Sequence, residues 1–526
     1  MTPTTRQSIQ TLMDSSGVKF GTSGARGLAA DMTAPVCYAY AAAFLQVVGA
    51  RPGGAVALGM DLRPSSPGIA AACAAAIRDA GLEPVFCGVL PTPALAYFAQ
   101  ERGMPAIMVT GSHIPFDRNG IKFYRAEGEI TKADEAGIAG AEVSVAGDIH
   151  AVVLAMAKRM LPTPTLPTSG EGANCSHASG EGANSSPTCG GGWGGESAIT
   201  PTPDAAQLYR RRYLDFFPAN ILAGMRLGFY EHSSVARDLL RDILEGLGAQ
   251  VISLGRTDQF VPIDTEAVAE VDIRRARDWA AEHRFDAILS TDGDADRPLL
   301  GDERGDWLRG DVVGILCAQY LGARAVATPV SSNTALEKCG AFERIARTRI
   351  GSPFVIAGME QLAADGATNI VGFEANGGFL LGSRLEKAGR ALEPLPTRDA
   401  VLPILALLAM AREQGVPVSR LATGLPPRYT ASDRLQNFPT EQSRALLASL
   451  AGSTAALAEF LAPLGLATTG LDQTDGLRIT LANGEILHLR PSGNAPELRC
   501  YAEAESQERA NELAKAGLAR VGNWRS

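Results

Sequence analysis

The sequence predicts an α/β protein of three related α/β units followed by a smaller unit of helices and strands. At 526 residues the chain exceeds what one core supports, and ordinary domain sizes give three or four folding units. A grammar of apolar strand, polar loop, helix and second strand recurs three times along it. Beyond about 425 the grammar changes to strands joined across an Asn-Gly turn, between helices.

The first unit, 1–160, opens with the turn-rich stretch Lys19-Phe-Gly-Thr-Ser-Gly-Ala-Arg26-Gly27 and an Ala-rich helical region near 34–50. The strand Ala55-Val-Ala-Leu-Gly59 leads into Met60-Asp-Leu-Arg-Pro-Ser-Ser66, then a helix over about 67–80 and the strand Pro84-Val-Phe-Cys87. From 161 to 203 the composition collapses to small and polar residues, and Ser169-Gly-Glu-Gly-Ala-Asn174 returns as Ser179-Gly-Glu-Gly-Ala-Asn184. So little apolar surface cannot offset the entropy of ordering, which predicts a flexible insertion without a catalytic role. Cys175, His177 and Cys189 lie in it without useful metal-ligand spacing.

The second unit, 204–304, repeats the grammar at Met225-Arg-Leu-Gly-Phe-Tyr230 and Ala249-Gln-Val-Ile-Ser-Leu-Gly255. The third, 305–425, does so at Ala323-Arg-Ala-Val-Ala-Thr-Pro329 and Arg344-Ile-Ala-Arg-Thr348. A boundary is expected near 386–398, where the chain turns polar and contains proline, ahead of an apolar helix from Ala400. The breaker Leu425-Pro-Pro-Arg428 introduces the last unit, 426–526, read as helix, strand pair and helix.

Hydrophobic content of 46% and charged content of 20% are those of an ordinary globular protein. A net charge of −9 and a pI near 5.4 give no electrostatic reason to expect nucleic acid or an anionic membrane as partner. The eight cysteines show no Cys-x-x-Cys pair and no disulfide framework. No apolar stretch approaches bilayer length and the N-terminus lacks an apolar leader, so a reducing cytoplasm is the expected location.

Four loops can carry chemistry. Thr110-Gly111-Ser112-His113-Ile114-Pro115 follows an apolar strand, where α/β proteins place their sites, and presents a hydroxyl in a Gly/Pro-bounded turn. Phe116-Asp-Arg-Asn-Gly120 is read as a second turn after it, and Lys122 follows. Asp292-Gly-Asp294-Ala-Asp296-Arg297 also follows an apolar strand, and carboxylates at alternate positions can converge on a cation. It fails as a calcium hand, having Arg297 where the sixth position requires glycine, so magnesium is the better match and a solvated acidic turn the plain alternative. Glu374 and Asn376, in Gly372-Phe-Glu-Ala-Asn-Gly-Gly378, suit paired sugar hydroxyls or pass as a Gly-rich turn. Arg490-Pro-Ser492-Gly493-Asn494, with Arg499 following, offers a guanidinium, a hydroxyl, an amide and open backbone N–H groups for a phosphate, or is a plain hairpin connection.

In their order, these loops resemble the α-D-phosphohexomutases, in particular the phosphomannomutase/phosphoglucomutase branch. The matching strings are Phe20-Gly-Thr-Ser-Gly-Ala-Arg26-Gly27, Thr110-Gly-Ser-His-Ile-Pro115, Asp292-Gly-Asp-Ala-Asp-Arg297, Glu374-Ala-Asn376 and Arg490-Pro-Ser-Gly493, covering nearly the whole chain apart from 161–203. The resemblance implies three similar α/β domains with mixed sheets between helices, plus a smaller C-terminal α+β domain, around a central cleft. It implies that Ser112 is carried as a phosphoserine and that Asp292, Asp294 and Asp296, with Ser112's phosphoryl group, bind Mg²⁺. Hexose 1-phosphate and hexose 6-phosphate, most of all of mannose and also of glucose, would then interconvert through a 1,6-bisphosphate. Glucose or mannose 1,6-bisphosphate would serve as activator.

By the same resemblance Arg297 neutralises the transferring group, while Lys122, Arg26 and His113 are candidates for moving the proton. Lys122 comes first, because a lysine among other cations has its basicity depressed. Glu374 and Asn376 would hold sugar hydroxyls, and Arg490, Ser492, Gly493, Asn494 and Arg499 the other phosphate. The chain departs from its relatives at Asn376 and Gly378, where they often carry serine and histidine, and at Pro353, where lysine is common. Phosphoglucosamine mutase and a non-catalytic sugar-phosphate-binding protein remain as alternatives, and a monomer and a dimer are both compatible with the sequence.

Overall fold

The computed structural model describes residues 4–21, 24–160, 200–465, 467–492 and 496–523. Most of the expected insertion, with Cys175, His177 and Cys189, lies outside them, as do Gly493 and Asn494 of the C-terminal loop.

Three sheets are built on one plan. In the first unit Ala55–Met60 is central, with Glu83–Val89 and Ala106–Val109 parallel on either side, and Arg118–Arg125 runs antiparallel beyond Ala106–Val109. In the second, Arg226–Tyr230 stands between parallel Gln250–Leu254 and Ala287–Thr291, with Pro298–Gly301 antiparallel outside. In the third, Ala325–Pro329 stands between parallel Arg344–Thr348 and Ile370–Phe373, with Phe379–Leu381 antiparallel outside. The first sheet continues through Ala25–Leu28 to Lys19–Phe20.

The plan explains the sequence pattern. Ala106–Val109, Ala287–Thr291 and Ile370–Phe373 are buried at every residue, because helices cover both faces of a largely parallel sheet and no position alternates toward water. Each of these strands ends at one of the first three of the four loops singled out above. Ser112, Asp292 and Glu374 therefore leave equivalent strand ends in three successive units.

The units share apolar packing. One continuous core joins residues of helices Thr92–Glu101, Asp204–Phe216, Gly310–Tyr320 and Val401–Gln414. Pro403 is tolerated in the last of these because it sits in the first turn, where no intrahelical N–H is needed. The C-terminal unit is an antiparallel sheet of five strands, in the order Tyr429–Gln436, Glu497–Ala504, Ile486–Pro491, Leu477–Leu481, Thr468–Asp472, with a core of its own. Among the described residues no single helix is long and apolar enough to cross a membrane.

Three local expectations are corrected. The stretch near 386–398 is no boundary: Leu395–Asp399 is a strand of the third sheet, paired with Phe379–Leu381. It reads as polar because Arg398 and Asp399 are buried ion-pair and hydrogen-bond partners, which composition cannot distinguish from solvated residues. The C-terminal strand pair is the inner part of the wider sheet, whose other strands carry charged outer positions. Asn119-Gly120, expected to turn, lies within the strand Arg118–Arg125, and a Cβ at Gly120 would meet carbonyl oxygens of Ala25 and Thr110 at 2.9 Å.

Candidate active site

Ser112 is fully buried and left-handed, with φ 55°, a conformation that a non-glycine residue holds only where its surroundings fix it. Its N–H donates to Thr110 Oγ1 at 2.9 Å and its carbonyl accepts from Arg63 Nη2 at 2.9 Å. Gly111 leaves room for that guanidinium, since a Cβ there would stand 2.6 Å from Arg63 Cζ. The backbone so fixed aims the Ser112 hydroxyl across the boundary between units, where it donates to Asp292 Oδ2 at 2.6 Å.

The acidic loop is curled by Ala295, also left-handed at φ 57°, and by Asp292 Oδ1, which accepts from the N–H groups of Asp296 and Arg297 at 3.2 Å. Carboxylate oxygens of Asp292, Asp294 and Asp296 lie within 4.8 Å of one another, all buried. Asp294 Oδ2 accepts from Thr92 Oγ1 at 2.6 Å and from Lys122 Nζ at 2.6 Å, and Lys122 Nζ also reaches Asp296 Oδ2 at 2.6 Å. Asp294 Oδ1 and Asp296 Oδ1 are buried without a hydrogen-bond partner among the described residues. A buried anionic oxygen without a donor is costly, so the pair of them fits a cation in the triplet. The residues present can therefore hold a metal ion, through hard oxygen donors.

Electrostatics separate the three aspartates. Burial, then Asp294 and Asp296, pushes the Asp292 carboxyl well above its usual range. Burial acts the same way on Asp296, but Arg398, Lys122 and Arg297 outweigh it and hold that carboxyl well below. Arg297, then burial, pulls His113 down to about 2, so its ring is neutral at ordinary pH. Arg297 Nη1 donates to His113 Nδ1 at 2.8 Å, which leaves the ring proton on Nε2. Burial, then Arg297 and Arg398, lowers Arg26 to about 10. Three arginines thus face one acidic pocket, a setting that suits a dianionic phosphoryl group.

Of the residues expected from sequence, the structure brings Ser112, His113, Lys122, Arg26, Arg297 and the three aspartates into one cluster. Lys122 stands between two carboxylates rather than among cations alone. Glu374 joins the cluster through Arg398. Asn376 spends its side-chain oxygen on Gly378 N at 2.9 Å, and its carbonyl accepts from Thr265 Oγ1 at 2.7 Å. Arg490 and Arg499 are directly opposed on neighbouring strands of the C-terminal unit, where Arg490 pairs with Asp475 at 3.0 Å and Arg499 bonds Tyr501. Ser492 is buried beside them. The sequence reading missed Arg63, Thr92 and Arg398, whose partners lie far away along the chain and carry no local signature.

Comparison with known proteins agrees with this geometry. Phosphoglucomutase/phosphomannomutase alpha/beta/alpha domain I matches residues 17–144, domain III matches 309–429, and the C-terminal domain matches 435–518. The phosphomannomutase of Sinorhizobium fredii is 44% identical over 96% of this chain and 98% of its own. That of Salmonella muenchen is 45% identical over 97% of each. A solved phosphoglucomutase/phosphomannomutase family protein from Burkholderia thailandensis has the same fold, with a TM-score of 0.66 at 19% identity, over 96% of this chain and 98% of that one. A serine set against an acidic triplet at equivalent strand ends defines the class, and the chain belongs to the phosphoglucomutase/phosphomannomutase family.

Proposed function

We propose that the chain is a phosphohexomutase that interconverts hexose 1-phosphate and hexose 6-phosphate, mannose phosphate foremost and glucose phosphate as well. The observation that carries this reading is Ser112 Oγ, aimed by a left-handed backbone at Asp292 Oδ2, 2.6 Å away, beside two buried carboxylate oxygens that accept no hydrogen bond among the described residues. Both relatives described above are phosphomannomutases.

In the working form Ser112 carries a phosphoryl group. A sugar hydroxyl attacks its phosphorus; the new P–O bond forms as the bond to Ser112 Oγ breaks, giving the 1,6-bisphosphate. The bisphosphate turns end for end, and its other phosphoryl group passes back to Ser112 Oγ. A bare Ser112 is charged by glucose or mannose 1,6-bisphosphate, the activator. Asp292, Asp294 and Asp296 would hold the divalent cation, magnesium in this reading, with Ser112's phosphoryl oxygen. When bound, that ion withdraws charge from the transferring group.

Arg297 is poised to hold an equatorial phosphoryl oxygen: its buried Nε faces Asp296 Oδ1 at 3.6 Å but makes no hydrogen bond among the described residues. Lys122 is the candidate to exchange the hydroxyl proton, with Asp294 and Asp296 at 2.6 Å as its partners. Neutral His113 acts as a hydrogen-bond acceptor that keeps Arg297 in place. Glu374 holds sugar hydroxyls, and Arg490, Ser492 and Arg499 the distal phosphate. A reducing cytoplasm suits six described cysteines that are all free thiols.

Peptide mass analysis of the purified protein should find phosphate on Ser112, and Ser112→Ala should lose at least about 10³-fold in turnover. Full turnover by that variant sinks the covalent route. Mannose 1-phosphate, glucose 1-phosphate and glucosamine 1-phosphate assayed side by side decide the sugar. Preference for glucosamine phosphate would favour the phosphoglucosamine mutase alternative, and binding without turnover on any would favour a non-catalytic role.

A further inference from the structure

Arg398 stands between the acidic triplet and the sugar loop, its side chain only 3% exposed. Its Nε and Nη2 donate to Asp296 Oδ2 at 3.1 and 2.8 Å, and its Nη1 donates to Glu374 Oε2 at 3.1 Å. One planar, rigid fork therefore sets the spacing of two carboxylates that belong to different units. The strand beneath it is anchored on both sides of Arg398. Thr397 Oγ1 donates to Glu129 of the first unit at 2.8 Å, and Asp399 accepts from the Tyr209 and Tyr213 hydroxyls.

Gly378 supplies the clearance. A Cβ there would stand 2.6 Å from Arg398 Cδ and 2.8 Å from Cγ, against the middle of the side chain rather than its free end. A side chain at 378 and an arginine at 398 in this position exclude each other.

We infer that Arg398 is a positioning residue that aims Glu374 at the hexose and ties the sugar loop to the acidic triplet, with Gly378 as its required neighbour. The inference rests on the phosphohexomutase reading. It has a signed consequence. Arg398 is a fixed positive charge beside Asp296, so it opposes cation binding at the triplet while it favours sugar binding through Glu374. Its removal should move the two affinities in opposite directions, whereas a general loosening of the site would weaken both.

The test uses the full chain in a Ser112→Ala background, so that sugar binds without turning over. Mn²⁺ binding is read from the paramagnetic resonance of the free ion, and mannose 1-phosphate binding by calorimetry. Arg398→Gln should bind Mn²⁺ about threefold to tenfold tighter and mannose 1-phosphate about tenfold more weakly. Arg398→Lys keeps the charge but not the fork. It should hold Mn²⁺ affinity within about twofold while still losing sugar affinity, and it guards against a fold lost to an unpaired carboxylate. Gly378→Ala should cost about tenfold in sugar affinity beside Arg398 and less than about twofold beside Arg398→Gln. Unchanged sugar affinity in both Arg398 variants, a joint loss of both ligands, or an equal cost of Gly378→Ala in the two backgrounds would overturn the inference. Failure of the Ser112→Ala parent itself to bind mannose 1-phosphate would instead remove the phosphohexomutase reading, and this one with it.

Discussion

Arg63 shows how a single side chain can hold the loop of the proposed nucleophile without itself completing the site. All five of its N–H donors are used: Nε donates to Asp61 Oδ2, Nη1 to the carbonyls of Pro115 and Arg118, and Nη2 to those of Ser112 and Ile114. Its guanidinium also lies over the Phe260 ring at 3.9 Å. Arg63→Met would leave Asp61 and these carbonyls in a dry interior, so chemical denaturation should read about 3–5 kcal/mol of lost stability. Turnover should fall with it as Ser112 leaves its left-handed geometry. Arg63→Lys should recover only part of either, because an ammonium cannot serve five acceptors; a melting point unmoved by Arg63→Met would refute the assignment. The string Asp61-Leu62-Arg63 is visible in the sequence as a loop, but its meaning is not. Four of the five acceptors lie about fifty positions further on, and no local pattern points to them.

At the scale of elements, what was legible is what the backbone decides locally. The strands before Ser112, Asp292 and Glu374 are short, apolar and followed by glycine, so their ends and their loops could be read directly. Leu395–Asp399 could not, because its charged residues find partners only after the units assemble. Ile486–Pro491 hides a similar case in His488, a buried residue inside an apolar strand. Its Nε2 donates to the Asp475 carbonyl at 2.6 Å, and its Nδ1 is buried without a partner, so a proton there would be an unpaired charge in the core. Burial accordingly lowers the ring from its ordinary 6.5 to about 4. The unfolded chain takes up the proton near pH 6.5 and the folded chain only near 4, so stability is full above 6.5 and falls as the pH drops between the two. His488 alone accounts for about 3 kcal/mol of that fall. Melting curves from pH 7 to 4.5 should show the decline, to which buried His113 and His232 also contribute, and His488→Gln, which can still donate to Asp475, should make it shallower; an unchanged slope in that variant would refute the account.

For the molecule as a whole, the contrast between its two kinds of interface matters most. The first three units share one apolar core, whereas the C-terminal unit has its own and meets the third through polar contacts. Asn333 Nδ2 donates to the Arg428 carbonyl at 2.8 Å, Thr334 N donates to Glu503 at 3.0 Å, and Ile350 N donates to Asp475 Oδ2 at 2.9 Å. An interface held by polar contacts rather than a shared apolar core is the one across which relative motion of units is expected. Asp475 joins that interface to Arg490, with which the same carboxylate pairs at 3.0 Å. Within the proposed function a hexose phosphate must compete with Asp475 for Arg490. Asp475→Asn keeps an oxygen for Ile350 N but removes the competing charge, so KM for the hexose phosphate should fall about threefold, in keeping with a partly exposed ion pair. Asp475→Ala removes the tether as well, and an untethered unit closes less often over its substrate, so KM should instead rise. Steady-state kinetics on the two variants decide the matter: KM moving in one direction for both would show that competition for Arg490 and attachment of the unit are not separable at this carboxylate.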